Sequence, residues 1–153
     1  MQIGVISDTH GLLRSEAVAA LRGCELIIHA GDVGGPEILE ALGQIAPVTA
    51  VRGNVDKGPW AAALPMCEVV ERGGQTIYVL HDLATLDLDP AAVRFSAVIS
   101  GHSHAPRVEE RHGVLFLNPG SAGPRRFRLP VTVARMSIVD GRLEARIVHL
   151  NVG

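Results

Sequence analysis

The sequence predicts an α/β fold in which two packed sheets are flanked by helices. The first half of the chain alternates short β-branched apolar runs with Ala-, Leu- and Glu-rich stretches of helical period, which is typical of βαβ units around a parallel sheet. The second half consists mostly of predicted strands joined by turns that contain glycine. A length of 153 residues suits a single domain over 1–153, and no linker or internal repeat divides it.

The elements of the first half follow from composition and period. Residues 3–7, 26–30 and 48–52 are short apolar runs closed by a glycine or a polar turn, so we predict buried strands there. Residues 14–22 carry apolar side chains on one helical face. A proline at an N1 position opens a second predicted helix over residues 36–45.

Hairpins organise the second half. Residues 67–72 and 76–80 flank a Gly73-Gly74 pair, which is typical of a two-residue turn between antiparallel strands. A short helix is predicted over residues 90–94. Further strands are predicted over residues 97–100, 107–111, 114–117, 131–139 and 143–150, with hairpin turns at His112-Gly113 and Asp140-Gly141.

Charge and composition exclude several classes of protein. A formal net charge of −2 provides no basic surface for non-specific binding to nucleic acid or to an anionic membrane. The first residues lack the features of a secretory signal, and no apolar run reaches the length of a membrane span, so we expect a cytoplasmic protein. Cys24 and Cys67 lack the spacing of a zinc motif, and we expect both to be buried thiols. A symmetric homodimer is the commonest default for such a domain.

Candidate metal ligands follow one predicted strand after another. Carboxylate, imidazole and amide side chains stand directly after apolar runs, at intervals of 21 to 27 residues. They are Asp8 and His10, Asp32, Asn54, His81, and His102 with His104. Because open α/β sheets bind their ligands at the carboxyl edge, we expect these groups to share one mouth.

The chemistry of these groups favours a pair of divalent first-row ions with one bridging carboxylate and neutral histidines. In the Asp-x-His and His-x-His motifs, the two side chains can converge on one site where the backbone turns. Taken singly, each motif is more typical of turns and helix caps. Five in succession favour a metal site, because so many polar groups at strand ends would otherwise need other partners.

The same residues resemble the signature blocks of the calcineurin-like metallophosphoesterase superfamily. The blocks are Asp8-x-His10, Gly31-Asp32, Gly53-Asn54, His81 and Gly101-His102-x-His104, in that order. Gly53-Asn54-Val55-Asp56, Gly101-His102-Ser103-His104-Ala105-Pro106, and Asn118-Pro119-Gly120-Ser121 with Pro124-Arg125 are similar to its small bacterial and archaeal phosphodiesterase branch. The resemblance runs over residues 3–125.

This resemblance implies a four-layer α/β/β/α sandwich, with two mixed sheets flanked by helices, and a dinuclear metal site. It assigns one ion to Asp8, His10 and His104, makes Asp32 the bridging ligand, and assigns the other ion to Asn54, His81 and His102. Manganese is the usual ion in such proteins, although nickel, cobalt, iron and zinc suit the same ligands.

The implied activity is hydrolysis of a phosphodiester by a hydroxide that bridges two metal ions. The catalytic candidates are Asp32, Asn54, His81 and Asp56. The candidate substrate contacts are Asn54, Asn118, Ser121 and Arg125. Asp56 is equally typical of a turn, and Asn118 and Ser121 are typical of residues that shape a loop beside the histidines.

Three positions carry open alternatives. Val55 stands where many family members have a histidine that protonates the leaving group, which predicts fast cleavage of good leaving groups and slow cleavage of alkoxides. Asp82 follows His81 where a glycine is usual, and either hydrogen-bonds a ligand histidine or faces water. His29 either orients Asp32 or is satisfied by the backbone.

Two other functions stay open beside a phosphodiesterase. The same kind of site hydrolyses phosphomonoesters, so a phosphomonoesterase or nucleotidase is one alternative. The retromer subunit with this fold is a non-catalytic interaction module, which is the other. Such modules typically lose metal histidines, whereas this sequence keeps every ligand block, and that favours the enzyme.

Overall fold

Strands and helices alternate in the first half of the chain, as its pattern predicts. The computed structural model describes residues 1–152. In chain order the first half forms β1 (Gln2–Ile6), α1 (Ser15–Leu21), β2 (Leu26–His29), α2 (Pro36–Gly43), β3 (Val48–Ala50) and α3 (Pro59–Ala62). The four-residue helix α3 was not predicted, because one helical turn is too short to show a period.

Strands dominate the second half. They are β4 (Cys67–Arg72), β5 (Gln75–Leu80), β6 (Ala97–Ile99), β7 (Arg107–Arg111), β8 (Val114–Asn118), β9 (Thr132–Val139) and β10 (Arg142–His149). The predicted hairpin turns are confirmed: both residues have positive φ in Gly73-Gly74, His112-Gly113 and Asp140-Gly141, as a type I′ turn requires.

Two mixed five-stranded sheets form the fold, which confirms the predicted α/β class. The first has the order β10-β9-β1-β2-β3, with β1 parallel to β2 and antiparallel to β9. The second has the order β4-β5-β6-β8-β7, with β5, β6 and β8 parallel and both edge strands antiparallel. The parallel strands of each sheet therefore present their carboxyl ends at one edge, where the predicted ligands follow.

The main core lies between the sheets. Ile3, Val5 and Ile28 of the first sheet pack against Ile77 and Ile99 of the second, and all five are fully buried. The outer face of the first sheet is covered by α1 and α2. Burial of these faces supplies the main stabilising free energy of the sandwich.

Irregular chain covers the outer face of the second sheet. Residues 83–95 pack on it and hold only a 3₁₀ turn (Leu83–Thr85) and one further turn. The helix predicted over residues 90–94 is wrong. Although the Asp89 side chain caps this turn through the Ala91 N–H, Arg94 adopts a left-handed conformation with φ 61°, which ends it after one turn.

The expectation that both cysteines are buried is half wrong. Cys24 is buried beneath α1, whereas Cys67 is exposed at the start of edge strand β4. On β4 only Val70 is buried, because an edge strand has few neighbours to cover it. Among residues 1–152, no helix has the length and apolar character needed to cross a membrane.

Candidate metal centre

Five strand ends bring the predicted ligands together. Asp8 follows β1, Asp32 follows β2, Asn54 follows β3, His81 follows β5 and His102 follows β6. Both sheets contribute to the same mouth, so residues from the two halves of the sequence face one another there. The placement agrees with the rule that α/β folds bind ligands at carboxyl edges.

The carboxylates and histidines form two groups of three, each with its ligand atoms within 4.8 Å of one another. Asp8, His10 and His104 form the first group. Asp32, His81 and His102 form the second. The Asp8-x-His10 motif therefore converges on one site as predicted, whereas the two histidines of His102-x-His104 separate, one to each group.

Asp32 lies where the two groups meet. Its Oδ2 is 3.2 Å from His81 Nε2 in its own group and 3.6 Å from His10 Nε2 in the other. Within the first group, Asp8 Oδ1 is 3.4 Å from His104 Nε2 and 3.8 Å from His10 Nε2. One carboxylate thus faces imidazoles of both groups, which is the arrangement that a bridging ligand requires.

Left-handed backbone conformations aim these ligands. The residues concerned are Asp8, His10, Asp32, His102 and His104, with φ between 46° and 71°. Non-glycine residues adopt this region at a cost of about 1–2 kcal/mol each, and such strain is commonest at functional sites. The left-handed residues turn the backbone sharply after the strand ends, and the side chains that they carry converge in the mouth.

Close backbone approach holds these turns. A Cβ added at Gly53 would overlap the backbone and carboxylate of Asp32, and one added at Gly101 would overlap Ser7 Oγ. The glycines that precede Asn54 and His102 are therefore required by packing. The turns after different strands touch one another directly, which fixes the relative positions of the ligands they carry.

Hydrogen bonds orient the ligand side chains. Asp8 Oδ2 accepts from the Ser7 hydroxyl at 2.7 Å and from the His102 N–H at 3.1 Å, which turns Oδ1 toward the histidines. Asp32 Oδ1 accepts from the Val55 N–H at 3.0 Å. His81 Nδ1 donates to the Ala30 carbonyl at 2.7 Å, so Nε2 carries the lone pair whenever the ring is neutral.

Three buried atoms of the first group have no hydrogen-bond partner among the described residues: Asp8 Oδ1, His10 Nε2 and His104 Nδ1. The first two face each other across 3.8 Å. Buried polar atoms are normally satisfied, so an orphaned carboxylate oxygen beside an orphaned imidazole nitrogen calls for a ligand. A divalent cation satisfies both, because it accepts electron pairs from carboxylate and imidazole together.

The pKa values of the aspartates and histidines shift in opposite directions in the two groups. Burial opposes ionisation of Asp32, but the His81 hydrogen bond and the Val55 N–H outweigh it and lower the pKa of Asp32 to about 2. Burial opposes protonation of His81, but the hydrogen bonds of the protonated ring to Asp32 and to the Ala30 carbonyl, with the charges of Asp32 and Asp8, together raise its pKa. In the first group, burial raises the pKa of Asp8 and lowers the pKa of His104. A neutral His104 keeps the lone pair that a metal needs.

Asn54 completes the second group. Its side-chain amide lies 3.0 Å from His81 Nε2 and 3.3 Å from each oxygen of Asp32, in the orientation in which the nitrogen donates. An ion held by Asp32 and His81 would take the amide oxygen instead, after rotation of the amide.

Four other predicted residues belong to neither group. Asp56 is buried, and its carboxylate accepts from the N–H groups of Val33, Gly34 and Gly53. These contacts are those of a residue that stabilises turns, rather than of a catalytic residue. Asn118 donates to the Gly101 carbonyl and Ser121 donates to the Asp8 carbonyl, so both shape loops. Arg125 is exposed in the loop after β8.

The structure shows the contacts of His29 and Asp82, whose roles the sequence left open. His29 is fully buried, accepts from the Gly31 N–H at Nδ1 and contacts the Thr9 hydroxyl at Nε2, so neither ring nitrogen orients Asp32. Asp82 Oδ1 accepts from the Ala84 N–H and caps the 3₁₀ turn, while Oδ2 lies 3.9 Å from His102 Nε2.

Sequence reasoning missed Ser7 as a residue that orients Asp8. A serine directly before a ligand aspartate is the available signal, but serine is also common at strand ends, so the pattern is weak.

Comparison with known proteins decides the family. The family model described as the calcineurin-like phosphoesterase superfamily domain matches residues 1–141. The chain belongs to this family. A probable metallophosphoesterase of Methanocaldococcus jannaschii is 37% identical over 98% of this chain and 82% of that protein.

Solved structures match along nearly the whole chain. An archaeal phosphodiesterase superposes with a TM-score of 0.75 at 20% identity, covering 97% of this chain and 100% of that one. Wild-type Vps29 from Entamoeba histolytica, complexed with Zn²⁺, gives a TM-score of 0.76 at 23% identity, covering 99% and 100%. At these identities the two structures establish the shared fold.

Proposed function

We propose that this protein is a metal-dependent phosphodiesterase with a dinuclear site. Asp8, His10 and His104 hold one ion, Asn54, His81 and His102 hold the other, and Asp32 bridges them. Manganese is the proposed ion. The observation that carries the proposal is the position of Asp32 Oδ2 between His10 and His81, beside the orphaned atoms of Asp8 and His10.

The residues of the site suit an anionic substrate. Only two ligands, Asp8 and Asp32, are carboxylates, and the remaining ligands are neutral when they bind a metal. A pair of divalent ions would supply excess positive charge for the phosphate and a water of lowered pKa as nucleophile. The Val55 N–H holds one oxygen of Asp32, which leaves the other for the shared position.

The leaving group receives little help from the residue after Asn54. The Val55 side chain is 43% exposed at the mouth and carries no proton to donate. Asp56 is occupied by three backbone N–H groups, so it does not replace the missing acid. We therefore expect esters with good leaving groups to be cleaved much faster than alkyl esters, because general acid help is worth about 10²–10⁴-fold where it operates.

The alternative proposal is a non-catalytic module of the same fold. The complete ligand set argues against it, since a surface used only to hold a partner does not require orphaned metal-binding atoms inside the mouth. A phosphomonoesterase uses the same ligands and is distinguished only by its substrates.

The deciding experiment is hydrolysis of bis-p-nitrophenyl phosphate and p-nitrophenyl phosphate by metal-stripped protein, with and without added Mn²⁺. We expect Mn²⁺ to restore activity on the diester, and Asn54→Ala to lower it by at least about 100-fold, as for loss of one group that binds in the transition state. Asn151→Ala, at an exposed position after β10, is the matched control.

Three results would contradict the proposal. Preference for p-nitrophenyl phosphate would identify a phosphomonoesterase. Two tightly bound ions without turnover of either ester would favour the non-catalytic module. Activity that is unchanged in Asn54→Ala would remove this residue from the site.

A further inference from the structure

Two clefts open beside the second ligand group. The first, which we name the β4 cleft, has a volume of about 430 Å³ and reaches from Asn54 and His81 to edge strand β4. Its wall is formed by Arg52, Met66, Cys67, Tyr78, Thr85 and Asp87. Most of this wall is apolar, and Tyr78 is held by stacking on Phe95, with ring centroids 5.2 Å apart.

The second cleft lies on the other side of the same strand ends. This β7 cleft has a volume of about 390 Å³ and runs from Gly101 and His102 to edge strand β7. Its wall is formed by Leu83, Pro106, Arg107, Glu109, Arg111 and Phe116. The Arg111 guanidinium lies 4.9 Å from the centroid of the Phe116 ring, so this wall too is fixed by contacts between its own side chains.

Asp82 and His102 line both clefts and separate them. His102 belongs to the second ligand group, and Asp82 follows His81 of that group. The two clefts therefore diverge from one point, which is the place where the phosphate binds if the proposed function holds.

The charges in each cleft are largely balanced within the protein. Glu109 forms ion pairs with both Arg107 and Arg111 in the β7 cleft. In the β4 cleft, Arg52 donates to Met66 Sδ at 3.3 Å, and Asp87 supplies an opposite charge. Neither cleft has the excess positive charge that a second phosphate group would require, so each suits an uncharged group.

We propose that the β4 cleft and the β7 cleft bind the two organic groups of a phosphodiester, one in each, and that both groups are bulky and uncharged. The inference rests on the proposed function and specifies its substrate class. Each cleft has the volume of a site for a ring-sized group. A monoester would fill one cleft and leave the other empty, so two clefts on opposite sides of the ligand group favour a diester with two large arms.

The test uses esters that share one leaving group. Methyl p-nitrophenyl phosphate and phenyl p-nitrophenyl phosphate differ only in the retained arm, so their ratio of kcat/KM in Mn²⁺-loaded protein reports that arm. We expect the phenyl ester to be favoured by at least about 10-fold, because burial of an aromatic ring in an apolar cleft adds this much to transition-state binding. Equal kcat/KM values would overturn the proposal.

Each cleft can then be blocked separately. Cys67 is exposed and Cys24 is buried, so N-ethylmaleimide labels the β4 cleft selectively, with labelled Cys67→Ser as the control. Glu109→Trp fills the β7 cleft, and Glu110→Trp places the same ring on the other face of strand β7. We expect one block to erase the phenyl preference and the other to slow both esters through their common leaving group. If neither block changes either rate by more than twofold, the proposal is wrong.

A binding measurement separates this inference from the proposed function. Titration calorimetry with diphenyl phosphate and dimethyl phosphate on the Mn²⁺-loaded protein should show at least about 10-fold tighter binding of the diphenyl ester, reduced by either block. If no ester is hydrolysed but diphenyl phosphate binds more tightly, the phosphodiesterase proposal is wrong and the proposal about the clefts is supported. If esters are hydrolysed but diphenyl phosphate binds no tighter than dimethyl phosphate, the phosphodiesterase proposal is supported and the proposal about the clefts is wrong.

Discussion

The two ends of the sandwich use the same left-handed backbone conformation for different purposes. At the hairpin end, positive φ angles come in adjacent pairs that include glycine: Gly73-Gly74, His112-Gly113 and Asp140-Gly141. At the ligand end glycines such as Gly11 and Gly31 also have positive φ, but so do five non-glycine residues that carry candidate ligands: Asp8, His10, Asp32, His102 and His104. The conformation is shared, but its cause is not.

At the hairpin end the cause is local. A two-residue turn between twisted antiparallel strands needs two positive φ angles, and glycine supplies one of them at no steric cost. At the ligand end, turn geometry does not require positive φ angles at the non-glycine ligand residues. Contacts between turns impose it, such as the His102 N–H that donates to Asp8 across the two sheets. Backbone strain that is maintained by contacts between distant parts of the chain is typical of functional sites.

The largest expected difference between the two ends is in activity. Asp32→Asn keeps a side chain that tolerates φ 55° but removes the charge shared by both ligand groups. Loss of several kcal/mol of charge stabilisation should lower kcat/KM by about 10³-fold or more. Assays with bis-p-nitrophenyl phosphate, together with metal content by mass spectrometry, measure it.

Asp140→Asn is the control, because Asp140 has φ 52° in a hairpin turn. It should retain activity and metal content. Equal losses of activity and metal content in the two variants would mean that the left-handed turns matter only for folding. The two ends of the sandwich would then not differ in function.

Acid stability is the next largest effect, and it comes from His29. Burial lowers the pKa of His29 from 6.5 to about 3 in the folded protein. Nδ1 accepts from the Gly31 N–H, so a proton there would face another donor. Since the unfolded chain takes up this proton below pH 6.5 and the folded protein does not until about pH 3, stability falls as the pH drops through that window.

Between pH 7.5 and pH 5.0 the loss due to His29 should be about 2 kcal/mol in the free energy of unfolding. Urea denaturation of metal-free protein at both pH values should show a smaller acid loss for His29→Gln than for the unmodified chain, by about that amount. His112→Gln, at the exposed hairpin end, should leave the acid loss unchanged. An identical loss in all three proteins would place the proton elsewhere.

The ligand end also shows where sequence reasoning works and where it stops. The placement of Asp8, Asp32 and His81 followed from the rule that strand ends share an edge, since each stands directly after an apolar run. The spacing of the His-x-His motif does not by itself divide His102 and His104 between two groups; that division came from the family resemblance, and the structure has the same arrangement. The same limit applies to Asp56, whose carboxylate accepts from N–H groups of the turn after β2.

Away from the mouth the limits are different. The hairpins were predictable because the two residues of the turn determine the turn type. The helix predicted over residues 90–94 failed because Arg94 turns left-handed in the layer that covers the second sheet, and a propensity rule does not see that layer. Cys67 was misplaced because its hydropathy does not show that β4 is an edge strand.

A smaller effect concerns how the ligand end is held. Ser7→Ala removes the hydroxyl that donates to Asp8 Oδ2 at 2.7 Å, within the buried interior. Loss of a hydrogen bond that orients a metal ligand typically lowers metal affinity 10–100-fold, and we expect about 10-fold for Mn²⁺, measured by competition with a chelator.

Ser15→Ala is the matched control. The Ser15 hydroxyl donates to the carboxylate of the next residue, Glu16, as Ser7 does to Asp8, but on the exposed start of α1. Its metal affinity should be unchanged. If Ser7→Ala also bound Mn²⁺ normally, the orientation of Asp8 would depend on its backbone conformation alone.

The smallest effect tests the shared conformation itself. His102 has φ 71° at the ligand end and His112 has φ 51° at the hairpin end, and both are exposed. Asparagine adopts this region readily, so His102→Asn and His112→Asn should each change the unfolding free energy of metal-free protein by less than about 0.5 kcal/mol. Only His102→Asn should weaken Mn²⁺ binding. A loss of stability confined to His102→Asn without metal would show that its imidazole supports the fold, and the strain at the ligand end would then serve packing as well as metal binding.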